Sequence, residues 1–537
     1  MTIATKLLQR SPTAANNAND LRRLAAVDSA KIAALTKAAE ITDLRSYAEE
    51  VFATRTALTA LAIVLSTVGC ADFDPTPVNP RARAGARVAN TTLEQRNVIV
   101  VVGDGMQLAH QVAASRYLFG SDYALSFHAL PMEAYVTTWD VSGYNIRASK
   151  LGRPPYSPTS FDPKIGYDPE LGGEAPYPRS PDYPARRDYF LFEPYPDSAS
   201  TGTAMSTGVK TDYNNIAWAS GDQPGGELET SSSFLRRRYG MSTGFVTTVP
   251  LSHATPATWF SHNVERFNYF NIGHEILTVT RPDVIIGSGV GPEEGNYVLR
   301  EDVDAARDAR RWVYVERQSG VDGGVSLLAA AEEAVVAKRG LLGVFGGPLG
   351  NFESPIPSDT PGVPAVARGS TENPLLKDAA RAALRVLSQN PKGFFLMVEQ
   401  GDIDWANHAN DFARMIGCMW DLHEAVQAIV DFVDEPGDTV DWSNTTLLVT
   451  ADHANSYLRL EKPLGPGDLP TQLTSPSLSY PDGDVSYGTG NHTGELVTLH
   501  ARGYAADAVA NYATHYPGLP IVDNTAIYQL TLDAATR

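Results

Sequence analysis

Carboxylate and histidine side chains occur together at several places in the chain, each just after a short apolar run. Asp452 and His453 are adjacent and follow the run Thr446–Thr450. Asp404 and His408 are four residues apart, so on a helical turn they share one face and can bind a single metal ion. Carboxylate oxygen and imidazole nitrogen are ligands that zinc accepts. The spacing therefore indicates metal-ion chemistry.

The apolar runs themselves predict the elements that position these side chains. They are short, rich in β-branched residues and apolar throughout, which favours strands buried on both faces of a parallel sheet over amphipathic helices. Helical segments alternate with them, so we expect an α/β fold of three α/β/α layers with a mostly parallel central sheet. The predicted strands are Asn97–Val102, Gly244–Val249, Pro282–Val290, Gly340–Phe345, Gly393–Val398, Thr446–Thr450 and Leu496–His500.

The carboxyl ends of these strands should bring the candidate ligands together. In open parallel sheets, ligands bind beyond the carboxyl ends of the strands. His492 can add another metal ligand from a separate loop. The remaining candidates that lie at or just beyond predicted strand ends are Asp104, His253, Thr255 and Glu399.

Ser198 is the candidate nucleophile. It follows Asp197 at the start of a predicted helix that is rich in small residues and runs to about Gly208. A serine hydroxyl needs activation. A metal ion could supply it at a helix N-terminus, where free N–H groups and the helix dipole favour anions. Arg266 could then clamp two phosphoryl oxygens, a bidentate contact that suits arginine better than lysine.

Each of these residues also has an ordinary structural interpretation. A single strand-end acid such as Asp104 is more often a turn or helix cap than a ligand, and Asp197 with Ser198 alone is only an N-cap. Arg266 alone is most often a solvated charge, and His408 alone a surface or packed histidine. The functional interpretation depends on four separate strand ends that all carry ligand types. The histidines interpreted as structural or surface residues are His110, His128, His262, His274, His423, His500 and His515.

Composition excludes several classes of protein. The chain has 537 residues, enough for a large core. Its apolar content is ordinary for a soluble protein, which argues against a polytopic membrane protein. The net charge of -19 disfavours nucleic acid as a main partner. A phosphate-bearing substrate then needs local cations. Two cysteines, Cys70 and Cys418, give no disulfide framework, and Cys418 is expected to be a small core residue.

Residues 51–70 have the layout of a bacterial lipoprotein export signal. A basic residue is followed by an apolar run of about 14 residues, shorter than the roughly 20 of a membrane span, and then by Cys70. Thr67 departs from the pattern, which usually has Leu there. The alternative is a buried helix with an inert cysteine. Residues 1–50 are interpreted as a non-native or disordered extension, with translation starting near Val51.

The rest of the chain divides into a linker and one large domain. Residues 71–94 are rich in Pro, Arg and Asn and are predicted to be a linker. Residues 95–537 are predicted to be the catalytic domain. Within it, residues 140–196 are dense in Tyr, Pro, Gly and Arg, which predicts a long irregular insertion that forms an ordered lid or interface.

Four segments together resemble the alkaline phosphatase family, and the resemblance covers most of Val98–Gly503. The segment Asp197–Thr211 is similar to the family's nucleophile signature nearly end to end. The segments Val398–His408 and Thr450–His453 resemble its metal-binding segments, and His253-Ala254-Thr255 with Arg266 fits its magnesium and phosphate-arginine segment. Such motifs in this order are highly specific.

The resemblance implies a set of metal sites. Asp404, His408 and His492 would hold one zinc ion. A second zinc ion would be held by Asp104, Asp452 and His453, with Ser198 bound to it in the free enzyme. A magnesium ion would be held by Asp104, Thr255 and Glu399. His253 stands where some members have Asp, and it would reach the magnesium through water. Asp402 and Trp405 occupy variable positions that tune the site.

The resemblance also implies a reaction and a setting. The chain would hydrolyse phosphate monoesters through a phosphoserine on Ser198, with activity that rises into alkaline pH. The protein would be exported to the periplasm or cell surface, anchored through a lipidated Cys70, and could form a homodimer. The alternative is a phosphodiesterase or another metalloenzyme of the superfamily. Ser198 lacks the Pro and Arg that follow a sulfatase nucleophile, and Thr255 with Glu399 favours monoesters over diesters. A non-enzymatic phosphate- or metal-binding protein is a further alternative.

Overall fold

The computed structural model describes residues 95–177, 187–191, 195–291, 296–437, 439–475 and 477–536. All of them belong to one compact unit, Thr91–Arg537. The interpretations of residues 1–50, 51–70 and 71–94 lie outside the described residues.

Strands and helices alternate through most of the unit. The strands are β1 (Arg96–Gly103), β2 (Met132–Thr137), β3 (Ser242–Pro250), β4 (Val284–Ser288), β5 (Trp312–Glu316), β6 (Gly340–Val344), β7 (Ile356–Pro357), β8 (Val366–Ala367), β9 (Gly393–Gln400), β10 (Thr445–Thr450), β11 (Ala454–Asn455), β12 (Leu458–Leu460), β13 (Val485–Tyr487), β14 (His492–Thr493), β15 (Val497–Gly503) and β16 (Ile521–Asp523).

The helices lie between these strands. They are α1 (Leu108–Phe119), α2 (Val141–Lys150), α3 (Pro163–Gly166), α4 (Pro169–Gly172), α5 (Arg187–Phe190), α6 (Ser198–Thr207), α7 (Ser231–Tyr239), α8 (Ala254–Phe260), α9 (Tyr269–Glu275), α10 (Arg300–Asp308), α11 (Gly323–Ala337), α12 (Leu376–Leu387), α13 (Asp402–His408), α14 (Phe412–Asp434) and α15 (Ala526–Thr536). None of the helices in the described ranges is both long and apolar enough to cross a membrane.

Ten strands form the central sheet, in the order β16-β2-β15-β10-β1-β9-β3-β4-β6-β5. Neighbouring strands are parallel except where β15 pairs with β10 and with β2. Every residue of β10 is buried, as expected for a strand in the middle of a covered sheet. The four strands that precede the candidate ligands are neighbours in the sheet, in the order β10-β1-β9-β3.

This architecture confirms the predicted three-layer α/β/α fold with a mostly parallel sheet. All seven predicted strands are present, with small shifts at their ends. Three strands of the central sheet were not predicted, namely β2, β5 and β16. Two of them have weak sequence signals, because β16 has only three residues and β5 is an edge strand flanked by charged residues. Cys418 is buried in α14, as expected for a small core residue.

The insertion at 140–196 is more regular than predicted. It begins with α2, whose N-cap Asp140 accepts a hydrogen bond from Gly143 N at 2.6 Å. Weak helix formers such as Gly143 concealed this helix from the sequence. The aromatic residues that follow pack on Trp139, with ring centroids 5.6 Å from Phe161 and 5.9 Å from Tyr156. The described part of the insertion therefore packs through an aromatic cluster that it shares with other parts of the domain, such as Tyr516.

Candidate active site

The predicted site residues converge beyond the carboxyl ends of four neighbouring strands. Most of them lie on loops or helices that follow β1, β3, β9 and β10. Glu399 lies within β9 itself, one residue before the end of the strand. His492 arrives on β14, which pairs with β11 so that Asn455 lies opposite His492. Three overlapping clusters result, in which the ligand atoms lie within 4.8 Å of one another: Asp404, His453 and His492; Asp104, Asp452 and His453; and Asp104, His253 and Glu399.

His408 lies beside the first cluster, and its Nε2 atom faces Nε2 of His492. His408 Nδ1 is 2.7 Å from Gly490 O, and His492 Nδ1 is 2.7 Å from Pro196 O. Because a carbonyl oxygen only accepts, both Nδ1 atoms carry protons, which leaves both Nε2 atoms to act as metal ligands. The two Nε2 atoms are 3.1 Å apart, and each is within 3.4 Å of an Asp404 carboxylate oxygen.

The second cluster surrounds His453 Nε2 with oxygen atoms. Ser198 Oγ lies 3.1 Å from this nitrogen, Asp452 Oδ2 lies 3.2 Å away, and Asp104 Oδ1 lies 3.5 Å away. The other oxygen of Asp452 accepts hydrogen bonds from Gly105 N at 3.0 Å and His453 N at 2.9 Å, which fixes the carboxylate. The nucleophile candidate is thus in direct contact with a ligand set.

The third cluster lies behind Asp104, between β3 and β9. Thr255 Oγ1 donates to Asp104 Oδ2 at 3.5 Å, the long limit of a hydrogen bond. Glu399 accepts a hydrogen bond from Thr247 at 2.5 Å, so its orientation is set by the neighbouring strand. The oxygens of Asp104, Thr255 and Glu399 form a hard donor set that suits magnesium.

Ser198 and Arg266 flank the clusters from the other side. Ser198 is the first residue of α6 and is 1% exposed. Asp197 caps this helix by accepting from Ser200 N, and its second oxygen accepts from Arg266 Nη1 at 2.9 Å. Arg266 Nε is buried and donates to no group among the described residues. The guanidinium is therefore held by Asp197 at Nη1, its Nη2 lies 3.4 Å from His253 Nε2, and its remaining N–H groups can donate to an anion near Ser198.

Negative charge dominates the buried part of the site. Burial, together with the neighbouring Asp452 and Asp404, raises the pKa of Asp104 well above its usual range. Burial likewise raises the pKa of Glu399 to about 8 and that of Asp452 to about 6. Arg266 is a close cation, but its guanidinium is paired with Asp197. The packed carboxylates therefore call for further positive charge.

The pKa values of His453 and His408 are shifted in opposite directions by the surrounding groups. Burial lowers the pKa of His453 well below its usual value, so this ring is neutral and able to bind a metal. Burial opposes protonation of His408 as well, but Asp404 outweighs it and raises the pKa of His408 to about 9. A proton on His408 balances Asp404 in the metal-free protein, and a bound metal ion would displace it.

The donor set fits divalent metal ions. Asp104 Oδ1 and Asp452 Oδ2 are buried and accept no hydrogen bond from the described residues. Such oxygens cost free energy unless a cation or donor satisfies them. Nε2 of His408, which carries a proton in the metal-free protein, lies 3.1 Å from Nε2 of His492, and a metal ion that displaced this proton would meet both nitrogens.

Several residues that shape the site were not predicted as members of it. Asn455 donates to Asp404 Oδ1 at 2.5 Å, and Thr247 orients Glu399. Asp197 was recognised only as part of the nucleophile segment, whereas it also holds Arg266. The only sequence signal for Asn455 was its position two residues after His453. The long-range contacts themselves had no sequence signature.

Two histidines set aside as structural make contacts outside the candidate ligand clusters. His110 is buried, and burial lowers its pKa to about 3. Its Nε2 contacts Ser456 Oγ at 3.3 Å, and its Nδ1 contacts Asn407 at 3.4 Å. His262 forms an ion pair with Glu275 at 2.8 Å. Both act as packing or bridging residues of the fold.

The fold and the site define the class of protein. It is an α/β protein with a buried serine, an arginine and overlapping clusters of carboxylate and imidazole groups that could hold metal ions, at the carboxyl edge of a mostly parallel sheet. A family model described as alkaline phosphatase matches residues 180–286 and 328–461. The chain is therefore similar to the alkaline phosphatase family.

Individual relatives are distant. Alkaline phosphatase 3 of Bacillus subtilis is 28% identical over 380 residues, which cover 70% of this chain and 64% of that protein. The chain thus spans less than two thirds of that relative's length. A cold-active alkaline phosphatase from Shewanella sp. superposes with a TM-score of 0.54 at 22% identity, covering 82% of this chain and all of that one. A variant of the TAB5 alkaline phosphatase with Mg bound in its M3 site gives a TM-score of 0.53 at 18% identity and covers 83% of this chain and 99% of that one.

Proposed function

We propose that this protein is a metal-dependent phosphomonoesterase that works through a phosphoserine on Ser198. The observation that carries the proposal is the position of Ser198 Oγ. It lies at the start of α6, 3.1 Å from His453 Nε2, and Arg266 is anchored to the preceding residue, Asp197. A phosphoryl group placed there would meet a nucleophile, helix N–H groups and a guanidinium at once.

The ligand clusters fit two zinc ions and one magnesium ion. In this proposal Asp404, His408 and His492 hold one zinc ion. The second zinc ion is held by Asp104, Asp452 and His453, beside Ser198. The magnesium ion is held by Asp104, Thr255 and Glu399, with His253 nearby. When bound, such ions lower the pKa of coordinated hydroxyl groups and neutralise charge that develops on phosphoryl oxygens.

The residues of the chain supply the remaining steps. Ser198 Oγ gives its proton to water and forms a bond to phosphorus as the bond from phosphorus to the ester oxygen breaks, and the departing ester oxygen takes up a proton from water to leave as the alcohol. A water molecule then cleaves the phosphoserine and restores the hydroxyl group. Through both steps the free donors of Arg266 orient two non-bridging oxygens, while Asp197 holds the guanidinium in place.

Ester hydrolysis and its dependence on metal test the proposal. We expect the purified protein to release phosphate from a simple monoester much faster than it cleaves a diester or a sulfate ester. Chelation should abolish the activity, and zinc with magnesium should restore it, because in this proposal the bound ions activate the Ser198 hydroxyl and neutralise the phosphoryl oxygens. A faster rate on the diester would favour a phosphodiesterase. Hydrolysis of none of the three esters would refute the enzymatic proposal.

We also propose that residues 95–537 form the catalytic domain of an exported protein. The layout of residues 51–70 supports export, with lipidation at Cys70, a periplasmic or cell-surface location and residues 71–94 as the linker. Homodimer formation is part of the same proposal. Mass spectrometry of the protein from membranes of the native cell is expected to find a mature chain that begins with a lipidated Cys70. A mature chain that retains Met1 would contradict this, and sedimentation would test the dimer.

A further inference from the structure

We propose that a series of aromatic rings beside the candidate active site binds the leaving group of aromatic phosphate monoesters. The series, called the aromatic wall below, consists of Phe267, Tyr269, Tyr297, His253 and Trp405. This inference rests on the proposed function, since it names the class of ester that the same site prefers.

The rings of the aromatic wall contact one another in sequence. The Trp405 and His253 rings meet edge to face with centroids 5.9 Å apart, and His253 is nearly parallel to Tyr269 at 6.5 Å. Tyr269 in turn meets Phe267 at 6.1 Å and Tyr297 at 4.8 Å, both edge to face. These are the distances of interacting aromatic pairs, so the wall is one continuous packed surface.

The aromatic wall adjoins the candidate phosphate-binding Arg266 at one end and the candidate metal ligand Asp404 at the other. Phe267 follows Arg266 directly, and the Arg266 guanidinium carbon lies 5.7 Å from the Phe267 ring centroid. At the other end, Trp405 follows Asp404 in α13. His253, in the middle, has its Nε2 3.4 Å from Arg266 Nη2. A phosphoryl group held by Arg266 and the clusters would therefore lie against the wall.

The direction of the reaction places the leaving group on the open side. In an in-line displacement the leaving oxygen departs opposite the attacking one. Ser198 is buried, whereas the side chain of His408 is 39% exposed. The ester oxygen and the group attached to it would thus point from Ser198 towards the exposed side, where Trp405 lies between Asp404 and His408 in α13.

Exposure of Phe267 supports a binding role over a purely structural one. Its side chain is 60% exposed, although it belongs to a packed aromatic series. A single exposed Phe is ordinary, but a contiguous apolar surface that ends at a polar reaction site is typical of a ligand pocket. A planar leaving group could cover this surface by stacking, which an alkyl group of similar size cannot do.

Two phosphonates that differ only in the attached group isolate the ring from the chemistry. Phenylphosphonate and methylphosphonate carry the same charged head and have no ester bond to break. We expect the metal-loaded protein to bind phenylphosphonate more tightly in calorimetry, at a pH where both are dianions. Phe267→Ala should reduce the preference for phenylphosphonate over methylphosphonate about two- to tenfold, which is the usual contribution of one aromatic contact to binding. Phe267→Leu, which keeps the apolar bulk, should reduce it as well.

Phe119→Ala provides the matched control. Phe119 is also an exposed phenylalanine, at the end of α1, where its ring contacts His423 outside the aromatic wall. The preference for phenylphosphonate should be unchanged in this variant. Equal binding of both phosphonates, or a preference that survives Phe267→Ala, would overturn the aromatic-wall proposal. Hydrolysis of ethyl phosphate by the same preparation distinguishes failure of the aromatic-wall proposal from failure of the proposed function. If the preparation does not hydrolyse ethyl phosphate, the phosphomonoesterase proposal itself fails.

Discussion

Replacing Ser198 with alanine is expected to lower turnover of a phosphate monoester by about a thousandfold or more, because no other hydroxyl reaches the same position. The protein should still fold and retain its metal ions. Ser198 contributes only Oγ to the second cluster, and the carboxylates of Asp104 and Asp452 and the imidazole of His453 stay in place. Acid quenching during turnover of a labelled ester should trap phosphate on the wild-type chain and none on the variant.

Ser206→Ala is the control for this substitution. Ser206 is also buried in α6, but its hydroxyl donates within the helix to Thr203 O at 3.3 Å. Its loss should leave turnover and metal content near wild-type values. Ser198→Ala protein with a turnover within tenfold of wild type would refute the assignment of Ser198 as nucleophile, whatever its metal content.

The fold was largely accessible from sequence because buried parallel strands have a strong local signature. The apolar run in β10 and its counterparts in β1, β3 and β9 predicted their own burial, and the topology of parallel sheets then predicted a shared edge. Strands without such runs were missed. β16 has three residues, and β5 lies at the edge of the sheet, where one side needs no neighbour.

The sequence also predicted the residue types of the candidate ligands, but it did not predict the contacts that orient these side chains. Asp404 and His408 follow from a four-residue spacing. The protonation of His408 and His492 at Nδ1 depends on the carbonyls of Gly490 and Pro196, residues whose side chains have no role in the contact. Backbone acceptors are present at every position, so no pattern of residue types identifies the two that matter.

The insertion illustrates the same limit at a larger scale. Its composition predicted an irregular segment, and its position in the chain gave no sign of a link to the metal ligands. In the structure its end supports the His492 loop, since Pro196 O accepts from His492 Nδ1 and Phe190 O accepts from Gly494 N at 2.9 Å. The insertion thus contributes to the orientation of a candidate ligand, His492, 296 positions away from Pro196 in sequence.

Asp452→Asn is expected to reduce turnover about a hundredfold or more without lowering the stability of the metal-free protein. The amide oxygen of Asn can keep the hydrogen bonds from Gly105 N and His453 N. Its NH₂ group, however, replaces Oδ2 and presents a donor where a metal ion would bind, 3.2 Å from His453 Nε2. In the metal-free protein the substitution removes one of several buried carboxylates, so thermal unfolding should occur at the same temperature or slightly higher.

Metal ions should separate the Asn variant from the wild type. Zinc at about 100 times its dissociation constant stabilises a folded protein by about 2.7 kcal/mol per site, and Asp452→Asn should lose most of that gain at one site. Asp441→Asn, which removes an exposed carboxylate just before β10, should gain as much from zinc as the wild type does. If Asp452→Asn unfolds at a markedly lower temperature without metal, Asp452 is a structural residue of the β10 exit. Equal zinc stabilisation of this variant and the wild type would exclude Asp452 as a ligand. The proposed role therefore requires both results, an unchanged metal-free protein and a weakened response to zinc.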